Sequence, residues 1–212
     1  MLIGIPIYHK VDLLDVTAAV EIFVAMKPYA KQLDVDVCLI AENDEPVLTR
    51  AGVKLVPQKC FDEVPAIDLL WVPGGAPSAL NFLMHDPKRT YLDFLITRAA
   101  KAQWVTSVCE GALLLAQAGL LDGYLATTHW AFLPCLRKFK AVNVTEGYPR
   151  FVVDRNRVTG GGISSALDEA LALVELLAGV DVARQVQQFT QYYPCPPVAS
   201  KIPDSTDCPL DG

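Results

Sequence analysis

Residues 104–119 read Trp-Val-Thr-Ser-Val-Cys-Glu-Gly-Ala-Leu-Leu-Leu-Ala-Gln-Ala-Gly. A β-rich apolar run therefore passes through Cys109 directly into an alanine- and leucine-rich helix that Gly119 ends. This pattern predicts a nucleophile elbow, a strand-to-helix turn at which the side chain projects from the carboxyl edge of a sheet. The first amides of the helix would direct partial positive charge at the sulfur and favour the thiolate. We therefore expect Cys109 to be a nucleophile, although a buried structural cysteine is the alternative.

Strand and helix patterns alternate on both sides of this turn. The predicted strands are Leu2–Tyr8, Val35–Ile40, Leu69–Val72, Trp104–Val108 and the pair Phe151–Val153 with Arg157–Thr159. The predicted helices are Val16–Met26, Pro87–Ala102, Gly111–Ala118 and Ser164–Leu177. The alternation indicates an α/β fold, a doubly wound, mostly parallel sheet of flavodoxin-like type that is sandwiched by helices and binds ligands at the carboxyl ends of its strands. Pro6 cannot donate a ladder hydrogen bond, so it predicts a strand end or a bulge.

Length and composition fit one enzyme-sized domain over residues 1–212. Residues 189–212 form a proline-rich tail, which we expect to pack on the core or on a dimer partner. The formal net charge is −6 and the 18 Lys and Arg residues are scattered, which speaks against a nucleic-acid partner. The N-terminal residues lack the features of a signal peptide, and no uncharged run is long enough for a membrane span. We expect a cytoplasmic protein without a membrane partner.

The cysteine and histidine residues show no metal-binding or disulfide framework. No Cys-x-x-Cys pair occurs, and the three histidines have neither helical pairing nor zinc-ligand spacing. We therefore expect no metal and reduced thiols. A bridge between Cys195 and Cys208, which both lie in the tail, is conceivable but disfavoured. The six cysteines are Cys38, Cys60, Cys109, Cys135, Cys195 and Cys208.

Two carboxylates are candidate partners of the thiol. Asp15 stands at the start of the first predicted helix, just after the loop that leaves the first strand. It is a helix N-cap, a carboxylate within reach of the Cys109 sulfur or of a water, or both. Glu110 follows the cysteine directly and suits the first turn of a helix. Its charge would oppose thiolate formation unless Glu110 is protonated or turned away, so it is a candidate for sharing a proton with Cys109.

Glycines follow two predicted strands at the same edge of the sheet. Gly74 and Gly75 let backbone amides converge on an oxyanion, and a tight βα turn is the alternative. Gly161 belongs to a run of three glycines that lacks the spacing of a nucleotide fingerprint, so we expect close backbone packing beside the site. His129, which precedes Trp130, either accepts the Cys109 proton or packs in the core.

Several segments together resemble the ThiJ/PfpI superfamily, which shares the class I glutamine amidotransferase-like fold. Within it the chain looks most like the isocyanide hydratases, and the similarity extends into the tail. The segments are Ser107–Ala112, Pro73–Gly75, Ala118–Gly123, Ala126–Trp130, Thr159–Ile163, Gln191–Pro197 and Pro203–Ser205.

The resemblance implies a homodimer in which Cys109 matches the nucleophile and Asp15 matches the carboxylate that handles protons and water. In the isocyanide hydratases, the cysteine attacks the terminal isocyanide carbon to give a covalent thioimidate, which water hydrolyses to an N-substituted formamide without a cofactor. We therefore expect a hydro-lyase with a small-molecule substrate. The expected catalytic residues are Cys109, Asp15 and Glu110, and the expected oxyanion or substrate-binding residues are Gly74, Gly75, Thr17, His129, Trp130, Gly161 and Ile163.

One position departs from the hydratases, and two other functions stay open. The hydratases carry threonine directly after the cysteine, where this chain has Glu110, which changes the polarity of the pocket and the basicity of the thiol. The first alternative is another cysteine chemistry of the superfamily, such as a glyoxalase-like, amidase or peptidase activity. The second is a ligand-binding sensor domain like that of AraC-type regulators. Such regulators need a helix-turn-helix module, and the roughly 35 residues after Leu177 disfavour one.

Overall fold

The computed structural model describes residues 1–211 and is built around a seven-stranded sheet. The sheet has the strand order β10-β11-β7-β6-β1-β2-β5, and all neighbours are parallel except β10, which pairs antiparallel with β11 at one edge. Two short ladders, β3 with β4 and β8 with β9, lie outside it. The strands are β1 (Leu2–Pro6), β2 (Asp36–Ala41), β3 (Val47–Leu48), β4 (Lys54–Leu55), β5 (Lys59–Cys60), β6 (Leu69–Val72), β7 (Trp104–Ser107), β8 (Leu125–Ala126), β9 (Asn143–Val144), β10 (Phe151–Asp154) and β11 (Arg157–Gly160).

Helices in two packed groups flank the sheet. One group consists of α1, α6 and α7, and in the other α2, α3 and α5 pack against α4. None of the helices within residues 1–211 combines the length and the hydropathy that crossing a bilayer requires. The helices are α1 (Leu13–Met26), α2 (Pro77–His85), α3 (Thr90–Ala99), α4 (Gly111–Gln117), α5 (Leu133–Leu136), α6 (Ser165–Ala178) and α7 (Val180–Thr190).

The register of the parallel strands brings four chain segments to one edge of the sheet. Ser107 at the end of β7 pairs with Val72 on one side and with Thr159 on the other. All four residues of β6 are buried, because helices cover both faces of the sheet. The segments that follow β1, β6, β7 and β11 therefore converge, and they carry the predicted site residues.

The predicted α/β architecture is confirmed, with local differences in the elements. Pro6 ends β1, as its missing donor predicted. The single helix expected over 87–102 is wrong, because α3 begins only at Thr90 and α2, which was not predicted, precedes it. Asp86 separates the two helices, and its carboxylate accepts hydrogen bonds from the Lys88 and Thr90 amides. A residue before proline avoids helical dihedrals, which accounts for this boundary.

A disulfide joins the C-terminal tail to the core. Cys208 is bonded to Cys135 of α5, so the expectation of reduced thiols is wrong for this pair. Cys195, considered above as the partner of Cys208, is free and exposed. The pairing spans a sequence separation of 73 residues, and only the packing of the tail brings the two Cα atoms within 4.8 Å. Sequence spacing carries no signal for such a long-range contact.

Candidate active site

Cys109 occupies a left-handed turn between β7 and α4. Its φ is +56°, a conformation that few non-glycine residues adopt. The turn is held at both ends of the residue, since the Cys109 N–H donates to the Gly161 carbonyl at 2.8 Å and the Thr128 hydroxyl donates to the Cys109 carbonyl at 2.7 Å. Gly111 is required beside it, because a Cβ there would lie 2.1 Å from the Val72 carbonyl oxygen. The strand-to-helix turn predicted at Cys109, called the elbow below, is therefore the local structure.

Three carboxylates surround the sulfur. The Cys109 sulfur and one oxygen from each of Asp12, Asp15 and Glu110 all lie within 4.8 Å of one another, and all four residues are buried. These groups are also the set that could hold a metal ion, so the expected absence of a metal stays a prediction. Arg50 is the cation on this cluster, with its Nη1 3.6 Å from an Asp12 oxygen. Asp12 directly precedes helix α1. The sequence pattern did not indicate it as a partner of the thiol.

Asp15 does not cap helix α1. Asp12 occupies the N-cap position, and Asp15 lies inside the first turn with its side chain fully buried. The Asp15 Oδ2 accepts the Gly74 N–H at 2.8 Å, whereas Oδ1 has no hydrogen-bond partner among residues 1–211. One oxygen is thus fixed and the other is available for a proton.

Burial reverses the expected acidity of the thiol. Burial raises the pKa of Cys109 well above its usual value, and the charges of Asp15 and Glu110 raise this pKa further. The expected preference for the thiolate is therefore wrong for the resting site. The dipole of helix α4 would lower the thiol pKa, but this helix has only seven residues. Burial and two nearby carboxylates raise the thiol pKa, and their effect is larger.

The two acids share this environment. Burial and then the charge of Glu110 raise the pKa of Asp15 well above its usual value, although the Gly74 hydrogen bond lowers it. Burial also raises the pKa of Glu110, although a hydrogen bond with the Cys109 side chain lowers this pKa. Burial disfavours each charged form, and like charges so close cannot all ionise. Burial therefore favours the protonated form of each acid over its charged form.

The glycine turn after β6 packs directly on the elbow. A Cβ on Gly74 would lie 2.7 Å from the Glu110 nitrogen and 2.8 Å from the Cys109 Cβ, so only glycine fits. The Gly74 amide is used by Asp15, which removes it as a free oxyanion donor. The Gly75 amide makes no hydrogen bond within residues 1–211 and remains the candidate donor.

Five of the expected substrate-binding residues line two cavities near the turn, whereas Gly74, Gly75 and the Cys109 sulfur line neither of them. A cavity of about 490 Å³ is bounded by Thr128, His129, Trp130, Gly161 and Ile163, among others. Thr17 instead borders a neighbouring cavity of about 310 Å³, which Ile163 and Asp12 share. Thr128 and Gly161, which hold the Cys109 backbone, belong to the larger cavity. Thr128 was not selected from the sequence, because a threonine beside a histidine carries no specific signal.

His129 is turned toward aromatic neighbours. Its Nδ1 accepts the Ala131 N–H at 3.2 Å, and its ring lies against Trp130 and Phe132. Burial lowers the pKa of His129, with a further contribution from Arg50, so the neutral ring is favoured. His129 is not a member of the cluster around the sulfur. The structure brings Cys109 together with Asp15 and Glu110, and it assigns His129 to the cavity wall.

A third cavity of about 490 Å³ lies beyond the ends of β1 and β2, with Tyr8, Phe61 and Tyr91 in its wall. None of the predicted site residues lines it. Its nearest link to the elbow is Tyr8, whose hydroxyl donates to the Pro73 carbonyl at 3.0 Å. His129, Trp130, Gly161 and Ile163 line the cavity beside β11 and not this one.

Glu169 of α6 is a fully buried acid that the sequence did not indicate. Neither carboxyl oxygen has a hydrogen-bond partner among residues 1–211, and a Cβ on Gly160 would lie 2.1 Å from Oε2. Burial raises the pKa of Glu169 well above its ordinary value of 4.5, and the charge of Asp15 raises it further. The helical periodicity of Ser164–Leu177 places Glu169 on the apolar face, and an acid at such a position indicates a buried carboxyl group.

Replacing Glu169 by methionine should stabilise the protein by about 1–3 kcal/mol near neutral pH, because a buried acid without a partner is removed. The raised pKa means that folding favours the protonated acid, so wild-type stability falls as the pH rises above 4.5 toward the native pKa. The gain should therefore be small at about pH 5 and larger at about pH 8. Urea unfolding measures it. Glu175→Met, at an exposed position of α6, is the control, and a gain independent of pH would contradict the prediction.

Comparison with known proteins places these features among relatives. The DJ-1/PfpI family profile matches residues 2–176. The isonitrile hydratase of Pseudomonas putida is 40% identical over 203 residues, which cover 96% of this chain and 83% of that protein. The crystal structure of a THiJ/PfpI family protein from Pseudomonas syringae has a TM-score of 0.83 and 32% identity, covering 93% of this chain and 77% of that one. The HTH-type transcriptional regulator GbdR of Pseudomonas aeruginosa is 29% identical over 148 residues, which are 66% of this chain and 37% of the regulator.

Proposed function

Because the chain belongs to the DJ-1/PfpI family, we propose that it is a hydro-lyase that hydrates a small organic isocyanide to an N-substituted formamide, with Cys109 as the nucleophile. The observation that carries the proposal is the buried thiol on its left-handed turn, with oxygens of Asp15 and Glu110 within 4.8 Å. The similarity to the isonitrile hydratase over 96% of this chain supports the choice of substrate class. The proposed reaction uses no cofactor.

The first step adds the thiol across the terminal carbon of the isocyanide. Sulfur forms a bond to that carbon, and the thiol proton reaches the same carbon through a carboxyl group, which leaves a thioimidate R–N=CH–S on Cys109. The isocyanide carbon must therefore receive both a nucleophile and a proton. The raised pKa values of Cys109, Asp15 and Glu110 suit this requirement, because a raised pKa favours the protonated group that can donate.

The second step consumes water. Asp15 gives its proton to the thioimidate nitrogen, water adds its oxygen to the thioimidate carbon, and the Asp15 carboxylate takes the proton that the water loses. The carbon–sulfur bond then breaks, which releases the formamide R–NH–CHO and returns the proton to the sulfur. The unpartnered Oδ1 of Asp15 is the atom available for both transfers, since Oδ2 is held by Gly74. The Gly75 amide is the donor that we assign to developing charge on the substrate.

The test of this function is direct. Pure protein is incubated with cyclohexyl isocyanide, and the formation of N-cyclohexylformamide is followed by chromatography. We expect turnover that needs reduced Cys109. Absence of turnover by protein whose Cys109 is shown by mass spectrometry to be an unmodified thiol would reject isocyanide hydration and leave only the family.

Glu110 is expected to share the thiol proton. Glu110→Gln should lower kcat about 10- to 100-fold with little change in KM, because the amide keeps the shape but cannot transfer a proton. Glu110→Thr introduces the residue that the sequence resemblance associates with the hydratases. Unchanged kcat in both variants would show that Glu110 has no part in proton transfer. Glu175→Gln, at an exposed position, serves as the control.

Assembly and location are the finer parts of the proposal. We retain the homodimer as a proposal, supported by the family membership. The Cys135–Cys208 disulfide is of a kind that is rare in cytosolic proteins, so it lends no support to the cytoplasmic location, which stays a prediction.

A further inference from the structure

We propose that Ile202, in the C-terminal tail, determines substrate specificity by forming the outer wall of the cavity bounded by Thr128 and Gly161, and that the Cys135–Cys208 disulfide holds this wall in place. The inference rests on the proposed function, since it takes the occupant of the cavity to be the organic group of the isocyanide. It adds the class of that group and the part of the chain that selects it.

The cavity suits an uncharged apolar group. Its cation, Arg150, is already bound by the Asp168 carboxylate and by the Ser164 hydroxyl. Its phenol, Tyr148, donates to Asp204 at 3.0 Å. With these polar groups engaged inside the protein, His129 and Ser165 are the polar side chains left for a ligand, and the other surfaces are mainly apolar. Its apolar lining residues are Leu14, Trp130, Pro149, Ile163 and Ile202.

Ile202 belongs to the tail but closes a cavity built by the core. The other residues that line this cavity come from the start of α1, from the segment 128–130, and from the two segments before β10 and after β11. Ile202 is 48% exposed, which places it at the rim of the cavity. Because Thr128 and Gly161 of this cavity hydrogen-bond to the Cys109 backbone, we place the reactive carbon of the ligand on their side of the cavity and its far end at Ile202. Ile202 would therefore contact long organic groups and not short ones.

The tail is fastened to the cavity on the C-terminal side of Ile202. Asp204 accepts the Tyr148 hydroxyl, and the Ser205 hydroxyl donates to the Ala131 carbonyl at 3.2 Å. Three residues further on, Cys208 is bonded to Cys135. Helix α5, which carries Cys135, directly follows the short 3-10 turn of Trp130–Phe132. The covalent bond thus ties the tail to the segment that supplies His129 and Trp130 to the same cavity.

The first experiment compares two substrates in one variant. Ile202→Ala should raise KM for cyclohexyl isocyanide about 5- to 10-fold while kcat stays within about twofold, because apolar contact with the ring is lost far from the sulfur. Methyl isocyanide is too short to reach the rim, so its KM should not change. Val198→Ala is the control, since Val198 is an exposed apolar tail residue outside the cavity. An equal KM for wild type and variant with both substrates, or a loss confined to kcat, would overturn the proposal.

The second experiment addresses the disulfide. The double variant Cys135→Ser/Cys208→Ser should show the same substrate-dependent rise in KM, together with a lower melting temperature. Cys195→Ser, which alters the free and exposed tail cysteine, should change neither quantity. A lower melting temperature with an unchanged KM would mean that the disulfide only stabilises the fold, and the assigned role of the disulfide would be wrong. Ile202→Ala leaves the disulfide intact, so it tests the wall even if the double variant does not fold.

A binding measurement separates this inference from the proposed function. Calorimetry with N-cyclohexylformamide, the product, reports occupation of the cavity without turnover. Weaker binding to Ile202→Ala than to wild type supports the wall even if wild type fails to hydrate the isocyanide, in which case only the reaction is rejected. Equal binding by both proteins, or no binding to wild type, rejects the wall even if hydration is observed.

Discussion

Replacement of Cys109 by alanine should lower the rate of isocyanide hydration by about 10³-fold or more, which is the effect expected when the covalent nucleophile is removed. The thioimidate forms on the sulfur, and no other thiol belongs to the cluster with Asp15 and Glu110. Alanine tolerates the left-handed turn at φ +56° about as well as cysteine does, so the backbone should be retained. Steady-state assay of formamide with cyclohexyl isocyanide measures the effect, and circular dichroism checks the fold.

Matched cysteine variants make the result specific. Cys60 is partly buried and Cys195 is exposed, and both are free thiols away from the elbow. Cys60→Ala and Cys195→Ala should each retain wild-type turnover. Acid quenching of wild type during turnover should leave a mass increment of one isocyanide on the peptide that contains Cys109. Turnover by Cys109→Ala at the wild-type rate would exclude the covalent mechanism.

Asp15→Asn should lower kcat by about 10²- to 10⁴-fold, the range for loss of a general acid–base group. The asparagine oxygen can still accept the Gly74 N–H that Asp15 Oδ2 accepts at 2.8 Å, so the turn after β6 should keep its position. The amide at the other atom can neither release nor take up a proton in the way that the mechanism needs. Both the addition to the isocyanide and the attack of water should therefore slow.

The pH dependence gives this prediction a second readout. Because the pKa of Asp15 is raised, wild-type kcat should fall as alkaline pH ionises the acid, and this limb of the profile should be lost in Asp15→Asn. Asp93→Asn is the matched control, since Asp93 is an exposed acid in the first turn of α3. A kcat of Asp15→Asn within about threefold of wild type would assign the proton transfers to another group.

The elements that could be predicted from the sequence are those with local signals. The elbow at Cys109 followed from an apolar run that enters an alanine- and leucine-rich helix within a few residues. Asp15 and the turn at Gly74 followed from the rule that parallel strands present their carboxyl ends at one edge. The order of the family motifs in the sequence indicated Cys109 and Asp15 independently.

The features that sequence reasoning missed depend on packing between distant segments. The acidity of Cys109 was predicted from the helix dipole, whereas its pKa is set by burial under residues that lie far away in the sequence. The Cys135–Cys208 pairing arises only when the tail lies across α5. In the sequence Glu169 is one acid among several on a helix, whereas in the structure its carboxyl group lies against Gly160.

The backbone conformation of Cys109 lowers the stability of the fold while it positions the thiol. A left-handed residue other than glycine costs about 1–3 kcal/mol, and glycine at position 109 would relieve that strain. The cysteine also places a thiol in a fully buried position, beside acids whose charged forms burial disfavours. Selection for thermal stability alone would therefore act against the residue that we assign to the chemistry. An engineering campaign on this fold has to hold position 109 fixed and gain its stability elsewhere.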